Sequence, residues 1–572
     1  MISMRKISIV FLLLCFLLGF SNNGFLLFSL DPPTKEQIEK YRSEGTLKQR
    51  IERAKSYGNH LISPSLLERL KRKVGGIANN SFAQIQLPPP DWRGMPTTGN
   101  VKILVLLLSF PDADNINSTN LIQDKMFGKG KASEFPLESL REFYIRSSFG
   151  KLKISGNILG WYKSKTLRSK VPKSISGRES LIKEALMFYD NNGHDFSQYD
   201  NDNDGDIDYF AVIWSGERGE WASFWWAYQT QFSNESFKLD GKSLYTYSWQ
   251  WESYNYPYGE FSPSTVIHES GHALGLPDLY DYKAGVGPDG GVGGMDMMAA
   301  AKCDHNCFHK FMLDWTRPEV QSTGSLDYSF FPSVKQGESL MMMPDISVNT
   351  IFGEFFMIEN RQKTGNDLNL PGNGLVIWHI DSTLDKSMRR FKYDNSYTSH
   401  KYIRLMEADG LEQIEKKFPA DKGDFYLNGN SFGPSTEPGS RDYKCNDSGV
   451  LIKNINIGSE VATFSAIVDV PVVIKLTGSR KEEKVWIVVS DYGDFVFTVK
   501  KQKKIEISEF VIQKKYGSFE YKEVMRVGYD KLINNGYSFT SAGLEKDVDY
   551  VFRVVAYDNA GNVIGVSREV TI

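Results

Sequence analysis

Three short segments in the first half of the chain have the hydrophobic patterns of β-strands. VKILVLLLSF (101–110) and DYFAVIWSGE (208–217) contain continuous apolar runs, whereas ISGNILGWYKS (154–164) alternates between apolar and polar positions. A short continuous apolar run is typical of a buried strand, and alternation is typical of a strand with one covered face. All three segments are therefore predicted to be strands.

Two further segments have helical spacing instead. In ESLREFYIRSSFGKL (138–152) apolar residues recur at helical intervals before a glycine turn. SPSTVIHESGHALGL (262–276) opens with serine and proline, which are common at helix N-termini. Strands and helices mixed in this way predict an α/β domain over residues 96–324.

The second half of the chain has only strand and turn patterns. FFMIENRQ, NGLVIWHID, HKYIRLMEAD, GVLIKNINI and EVATFSAIVDV predict a β-sandwich domain over residues 325–470. Residues 471–572 contain further short strands between Gly and Asn turns, which fit an immunoglobulin-like or fibronectin type III-like sandwich. The expected fold class is thus a multidomain chain in which an α/β domain is followed by all-β sandwich domains.

The N-terminus has the layout of a secretory signal peptide. Two basic residues precede an apolar run, and small residues near position 21 allow cleavage, so residues 1–21 are assigned to the signal. The apolar stretch 25–30 leaves an uncleaved anchor as the alternative. No later segment reaches the ~18 apolar residues of a membrane span, so no stable membrane insertion is expected after cleavage. The expected location is secreted or extracellular, with attachment to the cell surface left open.

Residues 22–95 follow the signal and are assigned to a propeptide and linker. Positions 34–73 carry 11 basic and 5 acidic residues, and a run of three prolines precedes the α/β domain. The alternative is a pair of solvated amphipathic helices, the usual interpretation of such a charge run.

The amino-acid composition argues against several classes of protein. Across 572 residues, 67 basic side chains balance 70 acidic ones, which gives no support to a nucleic-acid partner. Four cysteines are too few for a disulfide-built scaffold, and 41% hydrophobic residues argue against disorder. Function must therefore be sought in particular residues.

The segment HESGHALGLPD (268–278) predicts a zinc centre. His268 and His272 are one helical turn apart, so both imidazoles can reach one zinc ion. Glu269 lies beside them, near the place of a bound water. Gly275 can end the helix and allow Asp278 to return as a third ligand. The alternative is an amphipathic helix whose histidines only pack or form hydrogen bonds.

A methionine cluster follows in GVGGMDMMAAA (291–301). A methionine beneath the metal is a feature of zinc peptidases with this ligand order, and Met298 is the preferred residue for that turn. Met295 and Met297 are the alternates. Taken alone, the cluster would more often be core filling.

The acidic loop YDNDNDGDIDYF (199–210) predicts a calcium site. Oxygen ligands at every second residue around a glycine turn suit a hard cation. The expected ligands are Asp200, Asp202, Asp204, Asp206 and Asp208. Additional oxygen donors close by are Asp190, Asn191 and Asp195. The loop differs from an EF-hand because its twelfth position is Ala211 and a strand follows it, and a solvated acidic turn is the alternative.

Weaker signals have less specific interpretations. CDHNCFH (303–309) contains two Cys and two His, but the spacing fits no common zinc site, so Cys303 and Cys307 are expected to pair or to be buried. Cys445 is then an odd thiol, expected to be buried. His379 lies in an apolar strand and is expected to be a satisfied core histidine.

Together these motifs resemble the immune inhibitor A family of secreted bacterial metalloproteases. The resemblance rests on HESGHALGLPDLYD (268–281), GGMDMMA (293–299) with HKFMLDW (309–315), FYIRSSFGKLKISGNILGWY (143–162), the acidic loop, and ENRQKTG with PGNGLVIWHID (359–381). It covers roughly residues 98–465.

The resemblance implies a zincin-type catalytic domain in which His268, His272 and Asp278 bind zinc and Glu269 is the catalytic acid/base. A glutamate from a later helix is the alternative third ligand. The resemblance also implies a propeptide that keeps the enzyme latent, and it supports the calcium loop.

The function expected from the sequence is a secreted zinc endopeptidase that hydrolyses proteins or peptides, with zinc and calcium as cofactors. A second hypothesis is a calcium-stabilised surface adhesin or carbohydrate-binding protein on a fold that has lost catalysis.

Overall fold

The computed structural model describes residues 33–572 apart from 75–92, 284–289, 301, 323, 344–350, 470–471 and short breaks within 486–569. The expected signal peptide 1–21 and most of the expected linker lie outside the described residues. Within the part that is described, no helix combines the length and apolar character needed to cross a bilayer.

A six-stranded sheet forms the centre of the first domain. Its strands are β1 (Gly99–Ser109), β2 (Leu152–Lys163), β3 (Asp206–Trp214), β4 (Tyr228–Gln231), β5 (Lys238–Leu239) and β6 (Lys242–Trp251). The order is β2-β1-β3-β6-β4, with β5 also paired to β6. Strands β1, β2, β3 and β6 are parallel, and β4 and β5 run antiparallel to β6. The three strands predicted from the sequence are therefore neighbours.

Helices cover both faces of this sheet. They are α4 (Thr119–Phe127), α5 (Leu140–Ser147), α6 (Ile175–Asn191), α7 (Ser264–Ala273), α8 (Met297–Ala300) and α9 (Cys307–Met312). Alternate side chains of β1 enter different cores, because Val105 packs on the face of α7 and Leu106 on the face of α6. Two covered faces explain why β1 is continuously apolar.

Three N-terminal helices dock onto the first domain. They are α1 (Lys35–Ser43), α2 (Leu47–Ser56) and α3 (Pro64–Val74). Leu66, Leu67 and Leu70 of α3 are fully buried in the core that contains α7. Their apolar faces are therefore packed against the domain.

The second region consists of two packed sheets. One has the order β12-β11-β10-β9-β7 and the other the order β13-β14-β8. The elements are β7 (Glu319–Gln321), β8 (Gly324–Phe330), α10 (Ser333–Gln336), β9 (Leu340–Met342), β10 (Glu354–Arg361), β11 (Gly374–Asp381), β12 (Ile403–Leu405), β13 (Val450–Ile457) and β14 (Ala462–Val468). The larger sheet also packs its other face on the first domain, since Met357 and Trp378 share a core with Phe308.

Residues 472–572 form two antiparallel sheets around their own aromatic core. The strands are β15 (Val472–Val485), β16 (Val488–Lys501), β17 (Glu509–Tyr516), β18 (Lys522–Gly528), β19 (Gly536–Leu544), β20 (Tyr550–Tyr557), β21 (Val563–Val566) and β22 (Val570–Thr571). One sheet has the order β15-β16-β19 and the other β18-β17-β20-β21, with β22 beside β20. Phe495 and Phe552, from different sheets, contact each other at 4.3 Å between ring centroids.

Candidate metal centre

Helix α7 carries the first part of the candidate centre. It ends at Ala273, and Gly275 follows with a φ of +102°. Glycine adopts this left-handed conformation without the clash that a Cβ would cause. The chain reverses there and returns Asp278 to the face of the helix that carries His268 and His272.

The three predicted ligands converge on one point. Asp278 Oδ1 lies 3.1 Å from His268 Nε2 and 3.3 Å from His272 Nε2. In a tetrahedral zinc site with bonds of about 2.0–2.2 Å, neighbouring ligand atoms lie about 3.3–3.6 Å apart. The His272 distance lies in this range and the His268 distance is about 0.2 Å shorter, so the geometry of this His–His–Asp centre (His268, His272 and Asp278) is close to that of a zinc site.

Outer hydrogen bonds fix the orientation of the two imidazoles. His268 Nδ1 lies 2.9 Å from the Met297 carbonyl oxygen, and His272 Nδ1 lies 2.8 Å from that of Leu276. A carbonyl only accepts, so each neutral ring has its proton on Nδ1 and its lone pair on Nε2. Two lone pairs then face a carboxylate oxygen, an arrangement that a cation between them stabilises.

The carboxylate of Asp278 is suited to this role. Burial by itself disfavours its charge, but His272 and His268 hold the pKa of Asp278 well below its usual value. Tyr282 donates a hydrogen bond of 2.6 Å to Asp278 Oδ2, the oxygen that faces away from the histidines. This second contact was not predicted from the sequence.

Glu269 is separate from the ligand group. It is fully buried, and neither of its carboxyl oxygens has a hydrogen-bond partner among the described residues. Burial raises the pKa of Glu269 to about 8, although His268 pulls in the opposite direction. It is thus a free proton acceptor or donor beside the His–His–Asp centre.

The methionine turn lies directly behind α7. A Cβ added to Gly271 would collide with Met298 Sδ, so the Met298 side chain packs on the backbone between the two histidines. Met297 contributes the carbonyl that orients His268, and the Met295 carbonyl accepts a 2.6 Å hydrogen bond from Arg361. Two of the three methionines therefore act through their backbone, which the sequence did not indicate.

Residues 59–66, here called the N-terminal cover, lie on the motif. The Asp278 amide donates to the Asn59 carbonyl at 2.7 Å, and the Ser63 amide donates to the Gly275 carbonyl at 3.0 Å. The His60 ring contacts Tyr282 at 5.5 Å between centroids. Beneath this cover the most accessible ligand, His272, is 7% exposed.

The acidic loop brings four of its five predicted ligands together. Asp200, Asp202, Asp204 and Asp208 can place oxygens within 4.8 Å of one another. Gly205 makes the turn at a φ of +98°. The fifth predicted ligand, Asp206, instead accepts a 2.7 Å hydrogen bond from Arg93 Nη2.

Charge in the acidic loop is only partly balanced. Lys242 Nζ lies 2.6 Å from Asp200 Oδ2, while Asp208 Oδ1 is buried without a hydrogen-bond partner in the described structure. Burial raises the pKa of Asp204 to about 6 and that of Asp208 well above its ordinary value. A cation bound by these oxygens would stabilise the ionised loop. Asp190, Asn191 and Asp195 are not members of the four-residue group.

The remaining candidates have simple structural roles. Cys303 and Cys307 are free and buried, so burial is confirmed and pairing is not found. Cys445 is exposed, which contradicts the expected burial; it lies in a turn with a φ of 65°. His379 is buried and bonded to Glu354 at 2.8 Å, as expected of a satisfied core histidine.

Comparison with known proteins identifies one distant relative. Immune inhibitor A from Bacillus thuringiensis subsp. alesti is 23% identical over 232 residues, which covers 32% of this chain and 33% of that protein. The match therefore spans about a third of the relative's length. No family model matches the chain.

Structural neighbours add no functional information. Pectate lyase PelI from Erwinia chrysanthemi in complex with tetragalacturonic acid matches with a TM-score of 0.12 and 12% identity, covering 17% of this chain and 27% of that one. A β-1,2-glucanase from Parabacteroides distasonis matches with a TM-score of 0.11 and 19% identity, covering 21% and 17%. What the comparisons contribute is a partial, distant likeness to a protein named Immune inhibitor A.

Proposed function

We propose that this protein is a secreted zinc-dependent endopeptidase with a zincin-type catalytic domain. One observation carries the proposal: the Nε2 atoms of two imidazoles, whose Nδ1 atoms face backbone carbonyls, lie 3.1 and 3.3 Å from one carboxylate oxygen. The distant likeness to Immune inhibitor A supports the same class. When bound at this centre, zinc supplies a Lewis acid for a peptide carbonyl and for water.

Glu269 performs the proton transfers of hydrolysis. Its carboxylate accepts the proton of the water that attacks the peptide carbonyl, and then returns that proton to the departing amine. His268 and His272 keep their own protons on Nδ1, bonded to backbone carbonyls, so they do not compete for this role. Tyr282 holds Asp278 in place through the oxygen that is turned away from the reaction.

Substitution of Glu269 by Gln tests this assignment. We expect casein hydrolysis by the chain activated by limited proteolysis to fall roughly 10²–10⁴-fold, because one positioned acid/base contributes about that much. Zinc content should not change, because Glu269 is not a ligand. Glu252→Gln is the matched control, since Glu252 is equally buried and its partners Ile116 and Asn117 are outside the centre. Hydrolysis retained in Glu269→Gln would refute the mechanism, and calcium without zinc in the purified chain would favour the adhesin.

The N-terminal cover accounts for latency in this proposal. Substrate must reach α7, yet Asn59 and Ser63 occupy backbone groups of the motif and Leu66 packs against Gly275. We expect the full chain to be inactive until a protease cuts between the cover and β1 and the cover leaves. Casein hydrolysis before and after limited proteolysis measures this. Equal activity of the intact and the cut chain would contradict it.

A further inference from the structure

A second group of potential metal ligands lies behind the methionine turn. Asp296 precedes α8, His305 precedes α9 and His309 lies within α9, and none of the three is more than 1% exposed. Their ligand atoms can all lie within 4.8 Å of one another. Neither Cys303 nor Cys307 belongs to this group, here called the Asp296 cluster.

The separations within the Asp296 cluster are too long for hydrogen bonds and suit a bridging ion. Asp296 Oδ1 lies 3.7 Å from His305 Nδ1 and 3.6 Å from His309 Nδ1. These distances lie beyond the hydrogen-bond range. The His309 distance equals the upper limit of the about 3.3–3.6 Å expected between neighbouring ligands of a tetrahedral zinc ion, and the His305 distance is about 0.1 Å longer.

The two histidines are otherwise unsatisfied. None of their four ring nitrogens has a hydrogen-bond partner in the described part of the chain, although both rings are buried. Buried polar groups are rarely left in this state, and each exception calls for an unseen partner. An ion between the rings and Asp296 supplies that partner for one nitrogen of each ring, the Nδ1 that faces Asp296.

Asp296 itself is firmly positioned. Its Oδ2 accepts hydrogen bonds from the Asn306 amide at 2.5 Å and from Asn306 Nδ2 at 2.7 Å. Its Oδ1, the oxygen that faces the histidines, accepts from the Met298 amide at 2.7 Å. A fixed carboxylate that faces two imidazoles forms a preorganised ligand set.

We propose that Asp296, His305 and His309 bind a second divalent metal ion, and that this ion anchors the methionine turn behind the His–His–Asp centre. Two imidazoles with one carboxylate favour a transition metal over calcium, which prefers oxygen ligands, and zinc is the expected ion. The complete burial of the ligands assigns the ion a structural role.

The second ion is connected to the first centre through two backbone groups. Asp296 accepts from the Met298 amide, and the adjoining Met297 carbonyl orients His268. Outer partners of metal-bound histidines commonly change metal affinity by about 10–100-fold. Release of the second ion should therefore weaken zinc binding at the first centre.

Metal stoichiometry of the full chain tests the proposal. The purified protein is stripped of metal, titrated with Zn²⁺ alone and measured by elemental mass spectrometry after gel filtration. We expect two zinc ions per wild-type chain, one each in His309→Gln and His272→Gln, and none in the double variant. His379→Gln is the matched control and should keep two, because His379 is a buried histidine outside both groups.

The remaining ion in His309→Gln should bind about 10-fold more weakly than the corresponding ion in the wild type. Affinity equal to wild type would overturn the connection between the two centres. Circular dichroism checks the fold of each variant, and Asp296→Asn replaces His309→Gln if the latter misfolds.

The outcomes separate this inference from the proposed function. One zinc in the wild type, lost in His272→Gln and kept in His309→Gln, would overturn the second site and leave the peptidase assignment intact. One zinc lost in His309→Gln and kept in His272→Gln would support the second site and overturn the proposed catalytic centre. The variants assign each zinc ion to its group, and Asp296→Asn makes the same assignment if His309→Gln does not fold.

Discussion

The His–His–Asp centre and the acidic loop belong to the same domain, but their negative charge is balanced in different ways. The centre sets two imidazoles against one carboxylate in the interior, and only a proton or a metal ion can join them. The loop gathers four carboxylates nearer the surface, where Lys242 balances part of the charge. Under the proposed function, an ion at the centre would supply chemistry, whereas an ion at the loop would supply stability.

The largest expected effect separates the two sites by function. His272→Gln should remove the zinc and the proteolysis of the first centre, because one of its three protein ligands is lost. Stabilisation by calcium should remain, since the loop is a separate group. Asp204→Asn is the matched opposite and should keep zinc and proteolysis while weakening calcium. Zinc content, casein hydrolysis and Tm with and without calcium measure both variants, and loss of calcium stabilisation in His272→Gln would show that the sites are not independent.

A smaller effect is expected at the outer shell of the centre. Tyr282→Phe removes the hydrogen bond to Asp278 Oδ2, and such outer partners change metal affinity or activity by about 10–100-fold. Tyr247→Phe serves as control, because Tyr247 is equally buried but bonds Arg178 on the other face of the sheet. Competition of each variant with a zinc chelator gives the affinities. Equal zinc affinities in the two variants would show that Tyr282 does not contribute to zinc binding at the centre.

Calcium should shift stability by several degrees. An ion present at 100 times its Kd contributes about 2.7 kcal/mol, which is roughly 3–4 °C in Tm for a cooperative unit of about 370 residues. Asp202→Asn should reduce this shift, since Asp202 belongs to the four-residue group. Thermal unfolding in calcium and in chelator measures it. An identical Tm in both solutions would leave a solvated acidic turn as the better interpretation.

The smallest effect is expected from Asp206, the predicted ligand that does not belong to the four-residue group. Asp206 pairs with Arg93, whose side chain is 48% exposed, and such exposed pairs contribute about 0–1 kcal/mol. Arg93→Gln and Asp206→Asn should therefore change Tm by less than Asp202→Asn does, and should leave the calcium-dependent shift in place. A loss of that shift in Asp206→Asn would show that Asp206 is a calcium ligand, as predicted from the sequence.

Local patterns predicted much of this arrangement. The runs at 101–110 and 154–164 form β1 and β2, and the candidate ligands within 268–278 lie close together as their spacing indicated. In each case the determining interactions lie within a few residues, as periodicity or as a glycine that ends a helix.

Contacts between distant segments were not predictable in the same way. The pairing of Asp206 with Arg93 and the meeting of Asp296 with His305 and His309 depend on how the chain returns in three dimensions. Backbone contacts, such as the Met297 carbonyl at His268, carry no signal in residue identity. The 303–309 segment was judged unsuited to metal because its spacing fits no common zinc site, whereas Asp296, which lies close to both of its histidines, precedes the segment by seven residues.

The core shared between Phe308 and the sheet that contains Trp378 affects how the protein unfolds. Phe308 contacts Phe355 at 5.6 Å between ring centroids, and Lys401 donates a hydrogen bond to the Gly291 carbonyl at 2.8 Å. Aromatic contacts and hydrogen bonds therefore both connect the first domain to the second region. Heating should consequently melt residues 99–468 in one cooperative step. Truncating the chain at the end of its α/β part would expose an apolar aromatic surface, so the α/β part should not fold as an independent fragment.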